Sequence, residues 1–139
     1  MAQSIREVMT ADPRTVESGA TVADAAREMR DGDVGSVVVI ENGKVAGIIT
    51  DRDIAVRVVA QGLDPDATRV GEAATMPPVT LTVDQSVDDA IRLVREQEIR
   101  RIVVVQDDRA AGIVSLGDLA IERDTDSALA EIASDPPNN

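Results

Sequence analysis

The apolar residues of this chain fall into two sets of segments that repeat in the same order. Val22, Ala25, Ala26 and Met29 recur at the spacing of one helix face, and Val87, Ala90, Ile91 and Val94 do the same further along. A hydroxyl precedes each run, Thr21 or Ser86, with an Asp at the third helical position, Asp24 or Asp89. That is the pattern of an N-cap whose side chain satisfies the first free amides of a helix. An unbroken apolar, largely β-branched stretch follows each helix, Val37–Ile40 and Ile102–Val105, and such continuity predicts a buried strand. Asn42-Gly43 is a strong hairpin signal and Asp107-Asp108 a weaker one. Partner strands are expected at Val45–Ile49 and Ala110–Val114, and a second helix just after Thr50 or Ser115. A short extended piece, Thr15-Val16 or Thr80-Leu81, opens each set.

The two sets are copies. Displacing the chain by 65 positions lays residues 5–55 over 70–120 without a gap, and 16 of the 51 pairs are identical. Gly47-Ile48-Ile49-Thr50 falls on Gly112-Ile113-Val114-Ser115. The reading is α/β (α+β): two tandem β-α-β-β-α repeats, 1–62 and 70–123, a linker at 63–69, and an acidic C-terminal tail at 124–139. One copy of ~55 residues makes a marginal core, so the two are expected to associate sheet to sheet as one globular pair.

Composition narrows the chemistry. The chain has no His and no Cys, which removes zinc sites and Ser-His-Asp or Cys-His catalysis. Only carboxylates remain as metal ligands, and they show no Ca²⁺-loop spacing. With no aromatic residue, a bound base would lie between aliphatic side chains, and an aromatic stacking platform for single strands is excluded. The formal net charge of -12 repels a nucleic-acid duplex. It opposes small anions as well, so a nucleotide site would need a local group of Arg. No apolar run approaches the ~18 residues of a membrane span, and Met1-Ala2-Gln3-Ser4 lacks the features of a signal peptide. A cytoplasmic protein without nucleic-acid or membrane partners is the expectation.

The β-α-β-β-α order, its duplication, and the signatures Gly47-Ile48-Ile49-Thr50-Asp51-Arg52-Asp53 and Gly112-Ile113-Val114-Ser115-Leu116-Gly117-Asp118 together resemble a tandem CBS domain pair, or Bateman module. The runs Gly35–Val39 and Ile99–Val104 fit as well, and the resemblance spans roughly residues 5–122. It implies a stand-alone, non-catalytic sensor that binds an adenosine-containing ligand of the AMP, ADP or ATP class in clefts between the repeats. No cofactor is required; Mg²⁺ would accompany ATP. Carried over residue by residue, Asp53 and Asp118 are the candidates for the ribose hydroxyls, and Thr50 and Ser115 for phosphate. Val79 and Thr80 would grip adenine in the Asp53 cleft, and Arg14 and Thr15 in the Asp118 cleft. The resemblance further implies a homodimer built through the helices near 51–60 and 116–122, with Ile54, Val58, Leu119 and Ile121 as its apolar surface.

These roles suit the side chains. An ionised carboxylate only accepts hydrogen bonds and can take both ribose hydroxyls, and a helix start offers free amides to phosphate. Arg52, Arg100 and Arg101 can add charge-assisted contacts. The first copy has Gly35-Ser36 where the second has Arg100-Arg101, so the two clefts are expected to differ. The favoured one joins Thr50 and Asp53 with Arg100 or Arg101 opposite. Thr/Ser-x-x-Asp is, however, also a plain capping pattern. It occurs four times here, at Thr21/Asp24, Thr50/Asp53, Ser86/Asp89 and Ser115/Asp118. Two alternatives therefore stay open: a ligand-free module for dimerisation or for docking an unidentified protein partner, and, more remotely, an enzyme built on Asp, Glu, Ser, Thr, Arg or Lys44.

Overall fold

The structure, a computed structural model, describes residues 4–123. The expected acidic tail at 124–139 lies outside the described residues. The elements run α1 (Ile5–Val8), β1 (Thr10–Ala11), β2 (Thr15–Glu17), α2 (Val22–Gly32), β3 (Ser36–Glu41), β4 (Lys44–Thr50) and α3 (Asp51–Asp53), the last continuing as a π-helix over Ile54–Val59. They continue with α4 (Val70–Ala73), β5 (Thr80–Thr82), α5 (Val87–Gln97), β6 (Arg101–Gln106), β7 (Arg109–Ser115) and α6 (Leu116–Arg123). Both hairpins turn through two left-handed residues, Asn42 (φ 53°) and Gly43 (φ 79°) in one, Asp107 (φ 53°) and Asp108 (φ 65°) in the other. The weaker Asp-Asp signal thus makes the same turn as Asn-Gly.

Packing divides the chain differently from the sequence repeat. The first compact unit is Pro13–Pro78, and the second joins residues 4–12 to residues 79–123. The lead-in of each repeat therefore belongs with the body of the other. In the second unit Thr10 pairs with Ile113 and Ala11 with Gly112. In the first, Thr75 bridges Ile48, the same relation displaced by 65. The short helices α1 and α4 correspond in the same way, and neither was evident from hydrophobic periodicity. The expected linker is part of the first unit: Val22 and Ala23 donate their amides to the carbonyls of Thr68 and Pro65, and Arg69 Nη1 donates to the Gly19 carbonyl at 2.7 Å.

Each unit centres on a sheet, ordered β2-β3-β4 in the first and β1-β7-β6-β5 in the second. The leading strand of each repeat runs parallel to the central one, Thr15 beside Val38 and Thr80 beside Val103. One face of the first sheet, Val37, Val39 and Ile49, packs with Val22, Ala25, Met29, Val58 and Val70. The second core repeats this with Ile102, Val104, Val114, Val87, Ala90, Leu119 and Ile5. Val38 and Val103, on the opposite sheet faces, are also fully buried, which is why these strands read as continuous apolar runs.

Gly47 and Gly112 sit where the exchanged lead-in crosses the sheet edge. A Cβ on Gly47 would meet Met76 and lie 2.7 Å from the Thr75 carbonyl, and one on Gly112 would lie 2.7 Å from the Thr10 carbonyl. Only glycine allows the two backbones to approach this closely. Among the described residues no helix is long and apolar enough to cross a membrane.

Candidate functional site

The signature residues gather at one end of each sheet. In the first unit β4 ends at Thr50, the ladder partner of Ser36, and the Asp51 amide donates to the Gly35 carbonyl at 3.0 Å. Arg14 and Thr15 reach the same end, because the Val38 amide donates to the Arg14 carbonyl at 2.9 Å. In the second unit Arg101 is the ladder partner of Ser115, and the Leu116 amide donates to the Arg100 carbonyl at 2.8 Å. Val79 joins them through its carbonyl, which accepts from Val103 at 3.2 Å, with Thr80 next along β5.

Arg14, Thr15, Thr50, Arg52 and Asp53 are therefore brought together in one unit, and Val79, Thr80, Arg100, Arg101, Ser115 and Asp118 in the other. Arg52 is exposed. The Arg14 guanidinium is engaged by Glu28 at 3.0 Å, and its stem crosses Gly32, where any Cβ would collide with it.

All four Thr/Ser-x-x-Asp motifs form reciprocal capping boxes. Thr50 Oγ1 accepts from the Asp53 amide at 3.0 Å while the Thr50 amide donates to Asp53 Oδ2 at 3.0 Å. Ser115 and Asp118 do the same at 3.1 and 3.0 Å, as do Thr21 with Asp24 and Ser86 with Asp89. The boxes differ at the second carboxylate oxygen. Asp24 Oδ1 accepts from Arg27 at 2.9 Å and Asp89 Oδ1 from Arg92 at 2.8 Å. The capping amide and hydroxyl, reinforced by these arginines, hold both carboxyls below the usual aspartate range.

In the two signature boxes the residue three places on is apolar, Val56 or Ile121. Among the described residues no donor lies within hydrogen-bond distance of Asp53 Oδ1 or Asp118 Oδ1. Asp53 is 13% exposed, and Arg57 Nε approaches its Oδ1 only to 3.8 Å. The same sequence pattern thus yields two closed carboxylates and two that keep an accepting oxygen.

Arg57 was not among the sequence-derived candidates, although its place four residues after Asp53 is the spacing of a helical ion pair. Its Nη1 donates to the carbonyls of Ala73 and Ala74, 3.3 Å each. It sits in the π-helix, where the Ala60 amide donates to the Ala55 carbonyl five residues back at 2.9 Å. Such turns are rare and concentrate at functional sites. The second repeat has an ordinary α-helix here and Glu122 at the corresponding position.

The apolar surface expected of these helices needs correction. Val58 and Leu119 are core residues, 0% and 2% exposed, because they face their own sheets. On these helices the large apolar residues left exposed are Val56 and Val59 in the first unit and Leu116 and Ile121 in the second; Val34, Leu63 and Met76 are exposed elsewhere in the first unit. Among the described residues no three His, Cys, Asp or Glu side chains group as metal ligands.

The family model described as the CBS domain matches twice, over residues 5–60 and 65–123. The chain is 38% identical over 120 residues to the CBS domain-containing protein YhcV of Bacillus subtilis, covering 86% of this chain and 85% of that protein. The crystal structure of Hypoxic Response Protein I with two coordinated zinc ions superposes with a TM-score of 0.75 at 30% identity, covering 85% of this chain and 97% of that one. A hexameric CBS-CP12 protein from bloom-forming cyanobacteria superposes with a TM-score of 0.79 at 33% identity, covering 91% and 74%. With both repeats matched and the fold shared, the chain belongs to the CBS domain family, as a tandem pair of the kind that is generally regulatory.

Proposed function

We propose that this CBS pair is a non-catalytic sensor that binds an adenosine-containing ligand through its signature carboxylates, with AMP, ADP or ATP as the leading class and Mg²⁺ accompanying ATP. The observation that carries the reading is the open oxygen. A carboxylate needed only to cap a helix is free to be closed by an arginine one turn on, as at Asp24 and Asp89. At Asp53 and Asp118 the capping bonds consume Oδ2 alone, which leaves Oδ1 to accept a ribose hydroxyl. Thr50 and Ser115 accept the capping amide and retain a hydroxyl proton for a phosphate oxygen.

The test is a thermal melt with AMP, ADP, ATP, S-adenosylmethionine or NADH. A ligand at ~100 times its dissociation constant adds ~2.7 kcal/mol to stability. That gain is expected in the native chain and in Asp24→Ala, and is expected to vanish in Asp53→Ala/Asp118→Ala. No gain with any ligand, or an equal gain in the double variant, rejects the reading in favour of a ligand-free interaction module.

Self-association is the second element of the proposal. Val59 is 66% exposed, and Val56, Leu116 and Ile121 are each at least 40% exposed, which is unusual for large apolar side chains on signature helices. A homodimer through these residues is expected, and Val59→Asp should convert it to monomer in sedimentation equilibrium. A monomeric native chain at micromolar concentration would remove this element.

A further inference from the structure

The chain carries a formal net charge of -12, and the first turn of α3 adds two carboxylates, Asp51 and Asp53, beside Thr50. An anion arriving at the Thr50 hydroxyl meets repulsion from all of them, so its acceptance depends on cations that offset the carboxylates beside it. Three of the six arginines of the first unit are paired with carboxylates, while Arg52 is exposed and Arg69 donates to the Gly19 carbonyl. Arg14 is paired with Glu28 at 3.0 Å, Arg27 with Asp24 at 2.9 Å, and Arg30 with Asp31 at 2.9 Å.

Arg57 is held in another way. Two neutral carbonyls at the end of α4, those of Ala73 and Ala74, take its Nη1, as cations commonly satisfy helix C-terminal carbonyls. These bonds fix the guanidinium without cancelling its charge. Its Nε stands 3.8 Å from Asp53 Oδ1, close enough for Coulombic compensation and too far to occupy the oxygen as a hydrogen-bond donor.

Resting on the reading of Asp53 as a ligand carboxylate, we infer that Arg57 is the specificity-determining residue of the first unit. It admits a phosphate-bearing adenosine ligand in preference to the uncharged nucleoside, by balancing the Asp53 charge while leaving its acceptor open. The second unit has Glu122 at this position, so the device belongs to one repeat only.

The test is calorimetric titration of the full chain carrying Asp118→Asn, which confines binding to the first unit, with AMP and with adenosine. Arg57→Gln should weaken AMP about tenfold, the scale of losing one nearby charge in a partly screened site, and adenosine by less than about twofold. Arg57→Lys, which keeps the charge, should retain the preference for AMP. A preference for AMP lost in Arg57→Lys despite the retained charge, or equal losses for both ligands in Arg57→Gln, would overturn the role of Arg57 and leave the ligand reading intact; the lysine variant keeps the test open if Arg57→Gln does not fold. Binding of neither ligand to the unsubstituted chain would overturn both.

Discussion

Thr75 and Ile48 exchange two backbone hydrogen bonds, at 2.9 and 3.1 Å, across the edge of the first unit's sheet. The bond pair closes only because Gly47, next to Ile48, has no side chain. A Cβ there would stand 2.7 Å from the Thr75 carbonyl oxygen, and backbone cannot retreat as a side-chain tip can. Gly47→Ala is expected to destabilise by about 1–3 kcal/mol, and Gly112→Ala similarly through the Thr10 carbonyl. Gly19→Ala, where the space around a Cβ is open, should stay within about 0.5 kcal/mol. Urea unfolding of the three variants checks this; an unaffected Gly47→Ala would contradict it.

Ile5 lies far from the second repeat in sequence yet is fully buried in that repeat's core, and its amide donates to the Gln85 carbonyl at 2.8 Å. Ile5→Ala should cost about 2–5 kcal/mol. The accompanying rise in amide hydrogen exchange should fall on 79–123 rather than on 13–78. Exchange raised chiefly in 13–78 would refute the exchanged lead-in.

The difference between open and closed capping boxes can be engineered. Val56→Arg would place at Asp53 the i+3 arginine that closes Asp24 and Asp89. Its expected effect is loss of first-unit ligand binding, with stability unchanged or raised by ~0.2–0.5 kcal/mol. Val56→Gln, polar but uncharged, should bind as the native chain does. Titration of AMP into both variants in the Asp118→Asn background decides the matter, and full binding by Val56→Arg would show that the open oxygen is not the ligand's acceptor.

Acid should weaken the closed boxes. The Asp24 and Asp89 carboxyls are held low chiefly by the amides of Thr21 and Ser86. A carboxyl lowered by folding contributes stability that is complete above its unfolded value and is lost as pH falls through the folded value. Native stability should therefore decline from about pH 4 downward. Asp24→Asn/Asp89→Asn should start lower and decline less steeply over that interval. Parallel curves for the two proteins, from melts at stepped pH, would exclude these groups as the source.

Much of the fold was legible because it is local. The caps at Thr21 and Ser86, the helix faces of Val22 and Val87, the strands around Val38 and Val103 and both turns follow from side-chain chemistry within a few residues. The 65-residue displacement then carried the element order of one repeat over to the other. The short helices α1 and α4 were not legible, since a four-residue helix carries too little periodicity to register. The closed state of Asp24 and Asp89 was in principle readable from Arg27 and Arg92 at i+3, and the open state of Asp53 and Asp118 from Val56 and Ile121. The capping pattern alone hid that difference.

By itself the sequence determined the repeat unit, its elements, and the absence of imidazole and thiol chemistry, because these depend on composition and short-range spacing. Only tertiary structure decided that Ile5 completes a core built from residues beyond 79, that Val58 and Leu119 face inward, and that Arg57 is anchored by carbonyls sixteen and seventeen residues away. Those outcomes turn on which backbone reaches a given sheet edge, and a linear pattern does not encode the partner that arrives there.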